Sequence, residues 1–372
     1  LHSLTHGIAR GVEAPELMLA TLTPAEFGGN APAIVQRALE RLYARAWFLE
    51  FDGFRYRFKT EPSLNKIVED ETGSISVTGA KSEIDTRIRT IWRAGYLKPQ
   101  FFPVMPNDLD DDAGKPKLAI IHYDALKLGA AASEPPEFIQ RLAQHAGIAE
   151  SFRIYANNVL FLVADIDQVD QMVAETRRYL ALERITTSAE RMREFADDQQ
   201  KKLREMRQAA ELNVRVAITK TYRYLFYPSA DGPKDAAFLR RETVPPQGQG
   251  DTNPDQVNVI VRLLHNLEKV RTSDDNPLPA AYVKGKAWDR NQVELSTEDL
   301  RKAFARRVSL PLLLDVNQLQ RTIENGVKTR QWIYYNTRDE WAYDEDSPPT
   351  FWEIGDHTRL YAPSEAERLQ LH

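Results

Sequence analysis

Two groups of residues in this sequence have types and spacings that could do chemistry. The first is the end of YANNVLFLVADID (155–167). Seven of the eight residues from Val159 to Ile166 are apolar, and the other is Asp165. A buried strand that ends in a carboxylate is one way in which nucleotide hydrolases hold magnesium. The second group is cationic. Arg37, Arg41 and Arg45 recur every four residues, which places them on one face of a helix. Arg55, Arg57 and Lys59 alternate, so on a strand they share a face. Between residues 33 and 59, these six cations stand against only Glu40, Glu50 and Asp52, in a chain whose net charge is -5. A positive helix beside a positive hairpin strand is the footprint of contact with DNA phosphates. These six are the candidate DNA-binding residues. Charge without base-reading polar side chains points to non-specific binding. The alternative is that the arginines pair with acids of neighbouring domains, so that the segment is a packing module.

The magnesium reading of Asp165 needs a phosphate loop, G-x-x-x-x-G-K-[ST], whose amides cradle the phosphates. The sequence has none. Gly114-Lys115 continues to Pro116 and Gly285-Lys286 to Ala287. Ile166 stands where a catalytic Glu is usual, and Asp167 comes one position later. Asp165 is therefore a weak nucleotide-binding candidate. The competing expectation is that Asp165 and Asp167 end a strand and open a helix, where negative charge suits the helix dipole. No H-E-x-x-H or G-x-S-x-G motif occurs, so no zinc site or serine nucleophile is assigned. His122 is expected to be a satisfied, partly buried histidine. Asp108, Asp110, Asp111 and Asp112 lack the glycine and distal glutamate of a calcium loop, so a solvated loop is expected over 107–117. No catalytic residue and no metal ligand is assigned to the chain.

The elements that must position these residues follow from periodicity. Leu17–Leu22 and Ala33–Ala46 read as helices, the second with Ile34, Ala38, Leu42, Val35, Leu39 and Ala46 on its apolar side and Pro32 in its first turn. Aromatic runs flank Asp52-Gly53, which predicts a hairpin with a type I′ turn. Helix, helix, hairpin is the order of a winged helix, here residues 1–75. Residues 76–228 read as an α/β domain with a mostly parallel sheet and long helices. Its strands are Phe101–Met105, Lys117–His122 and Asn158–Ala164, and its helices Glu137–His145, Val169–Leu182, about 188–212 from a Thr187 capping box, and Val214–Tyr227. A Gly-, Pro- and Asp-rich linker or exposed loop covers 229–256. In 257–372, helices at Val259–Leu267, Thr297–Arg307 (capped by Ser296) and Val316–Asn325 (ended by Gly326) precede aromatic strands at 331–336, 340–345 and 350–354. That order predicts a second winged-helix-like α+β domain. The fold class is mixed α/β, multidomain.

The chain has 372 residues, 42% of them hydrophobic and 28% charged, a globular balance that suits two or three domains. No apolar run approaches the roughly 18 residues of a membrane span. There is no cysteine, which excludes disulfides and thiolate chemistry and fits a cytoplasmic protein. The chain starts at Leu1, and LHSLTHGIARG does not read as a signal peptide, so a piece of a longer protein, or one that has lost its start, is expected.

Five blocks carry a resemblance: FRYRFKTEPSLNKIV (54–68), FPVMPNDLDDD (102–112), FRIYANNVLFLVADID (152–167), RRYLALERI (177–185) and TKTYRYLFYPSADG (219–232). In this order they resemble a family of large prokaryotic AAA+-type ATPases, long catalogued as a domain of unknown function. That family is encoded in phage-defence or restriction-like gene clusters, often with a DNA methyltransferase and a helicase. The resemblance implies that this chain is the portion after the motor. ATP and magnesium would then be bound upstream, and a partner could be duplex DNA, other subunits or those defence proteins. No catalytic residue of the family maps onto this chain.

Overall fold

The computed structural model describes residues 11–25, 30–46, 49–51, 53–58, 63–93, 95–132, 134–246, 255–289 and 291–371. They form a mixed α/β chain with two compact units. One is Leu1–Asp85 with Gln171–Arg215, and the other is Thr86–Asp170 with Val216–His372.

The first unit opens with β1 (Val12–Glu13), α1 (Ala14–Thr21), α2 (Ala31–Arg45), β2 (Leu49–Phe51) and β3 (Arg55–Phe58). The three strands form an antiparallel sheet in the order β1-β3-β2. Leu39, Leu49 and Tyr56 make its core, with Leu17, Val35, Tyr43, Ala46 and Phe51 packed around them. The hairpin stands where Asp52-Gly53 predicts it, and Gly53 has φ +102. A two-residue turn would pair Phe51 with Phe54. Instead Phe51 pairs with Tyr56, whose ring stacks on it at 4.4 Å. Burying Tyr56 against Leu39 outweighs the tight turn, because register follows the buried face. The apolar side of α2 is also narrower than expected. Val35, Leu39 and Ala46 pack inward, but Ile34 and Leu42 are 58% and 55% exposed, and Ala38 is exposed too. A small sheet covers one stripe of a helix, not two.

Two more helices follow, α3 (Leu64–Ser74) and α4 (Val77–Ile91). The last carbonyls of α3 have no helical partner. The Arg177 guanidinium takes them, donating to Thr72 O and Ile75 O at 3.0 Å. Glu71 on α3 accepts from Arg184 at 3.0 Å and Arg191 at 2.6 Å. Burial pushes the Glu71 carboxyl up, but these two guanidinium groups hold it below the usual range.

The second unit continues through β4 (Lys98–Phe101), β5 (Lys117–Ile120), β6 (Lys127–Leu128), α5 (Glu137–Gln144), the hairpin β7 (His145–Ala146) and β8 (Ser151–Phe152), and β9 (Val159–Asp165). The chain then passes through the first unit, which takes most of α6 (Ile166–Thr187), α7 (Ala189–Arg193) and most of α8 (Asp197–Thr221), and β10 (Tyr222–Pro228) and β11 (Leu239–Thr243) belong to the second again. The sheet order is β11-β10-β9-β5-β4, with β6 against the end of β9. Pairs β4–β5, β5–β9 and β6–β9 are parallel, and β10 and β11 add antiparallel strands on the other side. β9 is fully buried at the centre, which explains its unbroken apolar run. Ala119, Ile121, Phe161, Val163, Tyr224 and Phe226 face Ile139 and Leu142 of α5 at period two.

Four expectations change here. Tyr222–Pro228 is not the end of a helix. It is a strand beside β9, and its aromatics suit a pleated, buried surface, where an apolar run cannot by itself tell helix from strand. The helix expected over 188–212 breaks at 194–196. Ser188 caps the short α7 by accepting from Arg191 N, and Asp197 and Asp198 open α8, where negative charge suits the dipole. The first parallel strand is Lys98–Phe101, not Phe101–Met105, because Asp108 takes the amides of Val104 and Met105 out of any ladder. Part of the expected linker is β11, an edge strand of the sheet; 247–254 lie outside the described residues.

The chain then forms α9 (Gln256–Asn266), β12 (Val270–Arg271), α10 (Ala280–Ala287), β13 (Glu294–Ser296), α11 (Thr297–Arg306), β14 (Leu312–Leu313), α12 (Val316–Lys328), β15 (Ile333–Asn336), β16 (Trp341–Tyr343), β17 (Thr358–Tyr361) and α13 (Pro363–Leu369). A sheet in the order β13-β17-β15-β16 covers α10, α11 and α12 over a core that includes Trp288, Leu300, Ile323, Trp332 and Leu360. Ser296 caps α11 as expected, accepting from Asp299 N at 2.9 Å. Gly326 does not end α12, which runs on to Lys328. Residues 350–354 form no strand. Their carbonyls are taken by side chains, Trp352 O by Gln320 and Glu353 O by Tyr334, and the strand forms at Thr358 instead.

Lys269 is a buried cation in this unit, 6% exposed. Its Nζ donates to Asn157 Oδ1 at 2.5 Å and to the carbonyls of Val308 and Leu310 at 3.4 Å. Burial pushes the ammonium down to about 7. The unfolded chain then holds one proton more than the folded chain from about pH 7 up to the ordinary lysine value. Stability should therefore rise with pH across that window, by up to about 1.4 kcal/mol per pH unit. Urea unfolding at successive pH values should show this slope, and Lys269→Met should remove it.

Candidate nucleic-acid interface

Arg37 and Arg41 lie on the outward face of α2, both exposed. The Arg37 Nε returns to Ala33 O at 3.3 Å, a contact within its own helix. Arg41 has no hydrogen-bond or ion-pair partner among the described residues. Glu40, the acid between them, accepts instead from Gln36 at 3.2 Å. Two guanidinium groups one turn apart thus stand in water without acidic partners among the described residues. The hairpin is different. Arg55 sits directly opposite Glu13 in the β1–β3 register and makes an ion pair with it at 3.1 Å. Arg57 is half-buried, opposite Glu50. Lys59 and the side chain of Arg45 lie outside the described residues. Of the six cations picked out by spacing, Arg37 and Arg41 are brought together as an open pair, and Arg55 is drawn into the sheet. The partner Glu13 was not legible in the sequence, since the pairing depends on register between strands 42 residues apart.

Ile34 and Leu42 share that outward face, and Phe54 at the hairpin tip is 82% exposed. The surface is therefore cationic and apolar together.

Asp165 ends β9 and is 4% exposed. Its Oδ1 accepts from the Asp167 amide at 3.0 Å, the bond of a helix cap, and its Oδ2 accepts from the Tyr224 hydroxyl at 3.0 Å. Arg223 stands 3.6 Å from the same oxygen. Both oxygens are engaged by the protein, and the carboxylate opens α6 as the helix-start alternative expects. His122 is half-buried, stacks on Tyr123 at 4.4 Å and accepts from Asp124 N at 3.1 Å.

Residues 107–117 form a mostly exposed loop, as expected, but each of its aspartates also binds a partner in the protein. Asp108 takes the amides of Val104 and Met105, and Asp110 pairs with Lys98 at 2.6 Å. Asp111 accepts from the amides of Ile154 and Tyr155 at 2.7 and 2.9 Å. Asp112 pairs with the buried Lys117 at 2.6 Å and accepts from Gly114 N. Burial pushes the Asp112 carboxyl up, yet Lys117 and the Gly114 amide hold it below the usual range. Arg153 completes the arrangement, its guanidinium wholly buried and donating to four backbone carbonyls. The loop ties two strand ends and the β7–β8 hairpin together. Among the described residues, only the Asp111 carboxylate of this run reaches a distant segment, and that pairing is what sequence spacing does not show.

Among the described residues no group of three His, Cys, Asp or Glu side chains is placed to hold a metal ion, and no helix is long and apolar enough to cross a membrane. His2 and His6, four residues apart as zinc ligands on one helix face would be, lie outside the described residues. Comparison of the chain with protein families, curated proteins and solved structures finds no match.

Proposed function

We propose that Val12–Phe58 is a winged helix that contacts duplex DNA non-specifically through the outward face of α2. In a longer protein it would couple that contact to an AAA+-type ATPase motor that binds ATP and magnesium. The observation that carries the reading is the pair Arg37 and Arg41 on α2, exposed and without acidic partners among the described residues. The topology supports it: two helices lie between the first strand and the hairpin, and the first strand pairs with the last, order β1-β3-β2. The same order, β13-β17-β15, recurs around α11 and α12 and supports a second winged-helix-like domain. There Arg321, in the middle of α12, is spent on the carbonyls of Ser273 and Asp275, which favours packing over DNA contact.

Fluorescence anisotropy with a duplex oligonucleotide at several salt concentrations tests the proposal. Arg37→Gln/Arg41→Gln should lower the salt slope by about 2 and weaken binding about a hundredfold at low salt. An unchanged slope would remove these residues from the interface. A second reading is favoured by Ile34 and Leu42, half-exposed on the same face. In that reading the module docks on another subunit or a defence protein such as a methyltransferase or helicase. Ile34→Ser/Leu42→Ser would then abolish the assembly while the arginine variant left it intact.

A further inference from the structure

Within the second unit, a cleft of about 400 Å³ lies where β11, β12 and α10 approach one another. It is large enough for a small organic ligand. Three cations line it: Arg240, Lys269 and Arg271. Neither guanidinium has a hydrogen-bond or ion-pair partner among the described residues, and the Arg271 Nε is buried without one. Asp231 and Glu268 also line the cleft, yet neither comes within ion-pair distance of these cations. An unpaired, partly desolvated guanidinium is costly, and a planar fork of donors matches a phosphate or carboxylate.

We propose that this cleft binds a small phosphate monoester, with Arg240 and Arg271 holding the phosphate and Lys269 supplying a further positive charge from the cleft wall. Phosphate is favoured over carboxylate because its three terminal oxygens can accept from two guanidinium forks at once, whereas one fork already fills the two oxygens of a carboxylate. The groups facing Lys269 give the binding a proton signature. Tyr227 and Tyr282 are neutral at working pH, since burial pushes both phenols up. Arg240, Arg271, Asp231 and Glu268 line the same cleft, but burial is what lowers the ammonium. Burial holds Lys269 near pH 7 in the empty cleft. A dianion beside it restores the charged form, so binding above that pH draws a proton from solvent.

Isothermal titration of the whole chain with inorganic phosphate and with glucose 6-phosphate tests this. Measured at pH 8 in two buffers of different ionisation enthalpy, binding should be accompanied by uptake of up to one proton; at pH 6, where Lys269 is already charged and the ligand is partly a monoanion, uptake should give way to release. Arg240→Met/Arg271→Met should weaken binding at least tenfold with an unchanged circular dichroism spectrum. Acetate should bind more weakly than phosphate. The proposal fails if no heat and no thermal shift is seen at about 10 mM of either phosphate. It also fails if the double variant binds as the parent does, or if binding takes up no proton at pH 8.

Discussion

Replacing Gly326 by alanine should destabilise the second unit by about 3 kcal/mol or more, the upper end of what overpacking a core costs. The position lies inside α12, where alanine is otherwise the better helix former. A Cβ there would stand 2.0 Å from Cε2 and Cζ2 of Trp332. The indole cannot step aside. It is fully buried, its Nε1 donates to Ile323 O at 3.0 Å, and Trp288 stacks beside it. The backbone of α12 or the Trp332 rotamer must shift, and either change disrupts the core of the sheet β13-β17-β15-β16. Gly285 provides the control. It is exposed on α10, and a Cβ there meets nothing within 4 Å. Gly285→Ala should stabilise by up to about 1 kcal/mol, through helix propensity and a less flexible unfolded chain. Urea unfolding followed by tryptophan fluorescence should show the two substitutions moving in opposite directions. Equal shifts would mean that helix propensity, not contact with Trp332, governs Gly326.

Arg153→Ala should cost about 3–5 kcal/mol, the range for breaking a buried charged network. The guanidinium donates to Asp110 O and His145 O at 3.0 Å, to Leu142 O at 3.3 Å and to Leu109 O at 3.4 Å. Asp111 lies 3.7 Å away. Burial holds the Arg153 pKa below that of a free arginine, with Asp111 and Asp110 opposing it, so the cost of desolvation is met mainly by carbonyl dipoles. Deleting the side chain leaves those carbonyls buried and unpaired and releases Asp111 from a nearby charge. Arg153→Lys should recover only part of the loss, because one ammonium cannot reach four acceptors spread around a planar fork. Limited proteolysis gives a second readout. Cleavage within 102–112 should quicken in Arg153→Ala before the rest of the unit opens, and a cleavage pattern like the parent's would show that the loop holds without Arg153.

Much of the architecture was legible without coordinates. The amphipathic stripe of α2, the aromatic runs around Asp52-Gly53, the cap at Ser296 and the apolar run of β9 are local signals, and each element forms there. The apolar run beginning at Tyr222 was not legible, because a strand buried on both faces has no alternation to distinguish it from a helix. Gly326 looked like a helix end because glycine is common there. It is kept instead for the closeness of Trp332, which no local pattern announces.

The site divides in the same way. The spacing of Arg37 and Arg41 by itself determined that they share a helix face, since helical periodicity is a property of the backbone. Only the tertiary structure decided which cations stay in water. It paired Arg55 with Glu13 through strand register and set Asp111 against the amides of Ile154 and Tyr155, brought from far along the chain. It also buried Asp165 under Tyr224 and left Lys269, Arg240 and Arg271 around one cleft. The physical reason is common to all of these. A charge is defined by its surroundings, and those surroundings are assembled by long-range packing and strand pairing, which the order of residues encodes only through the fold.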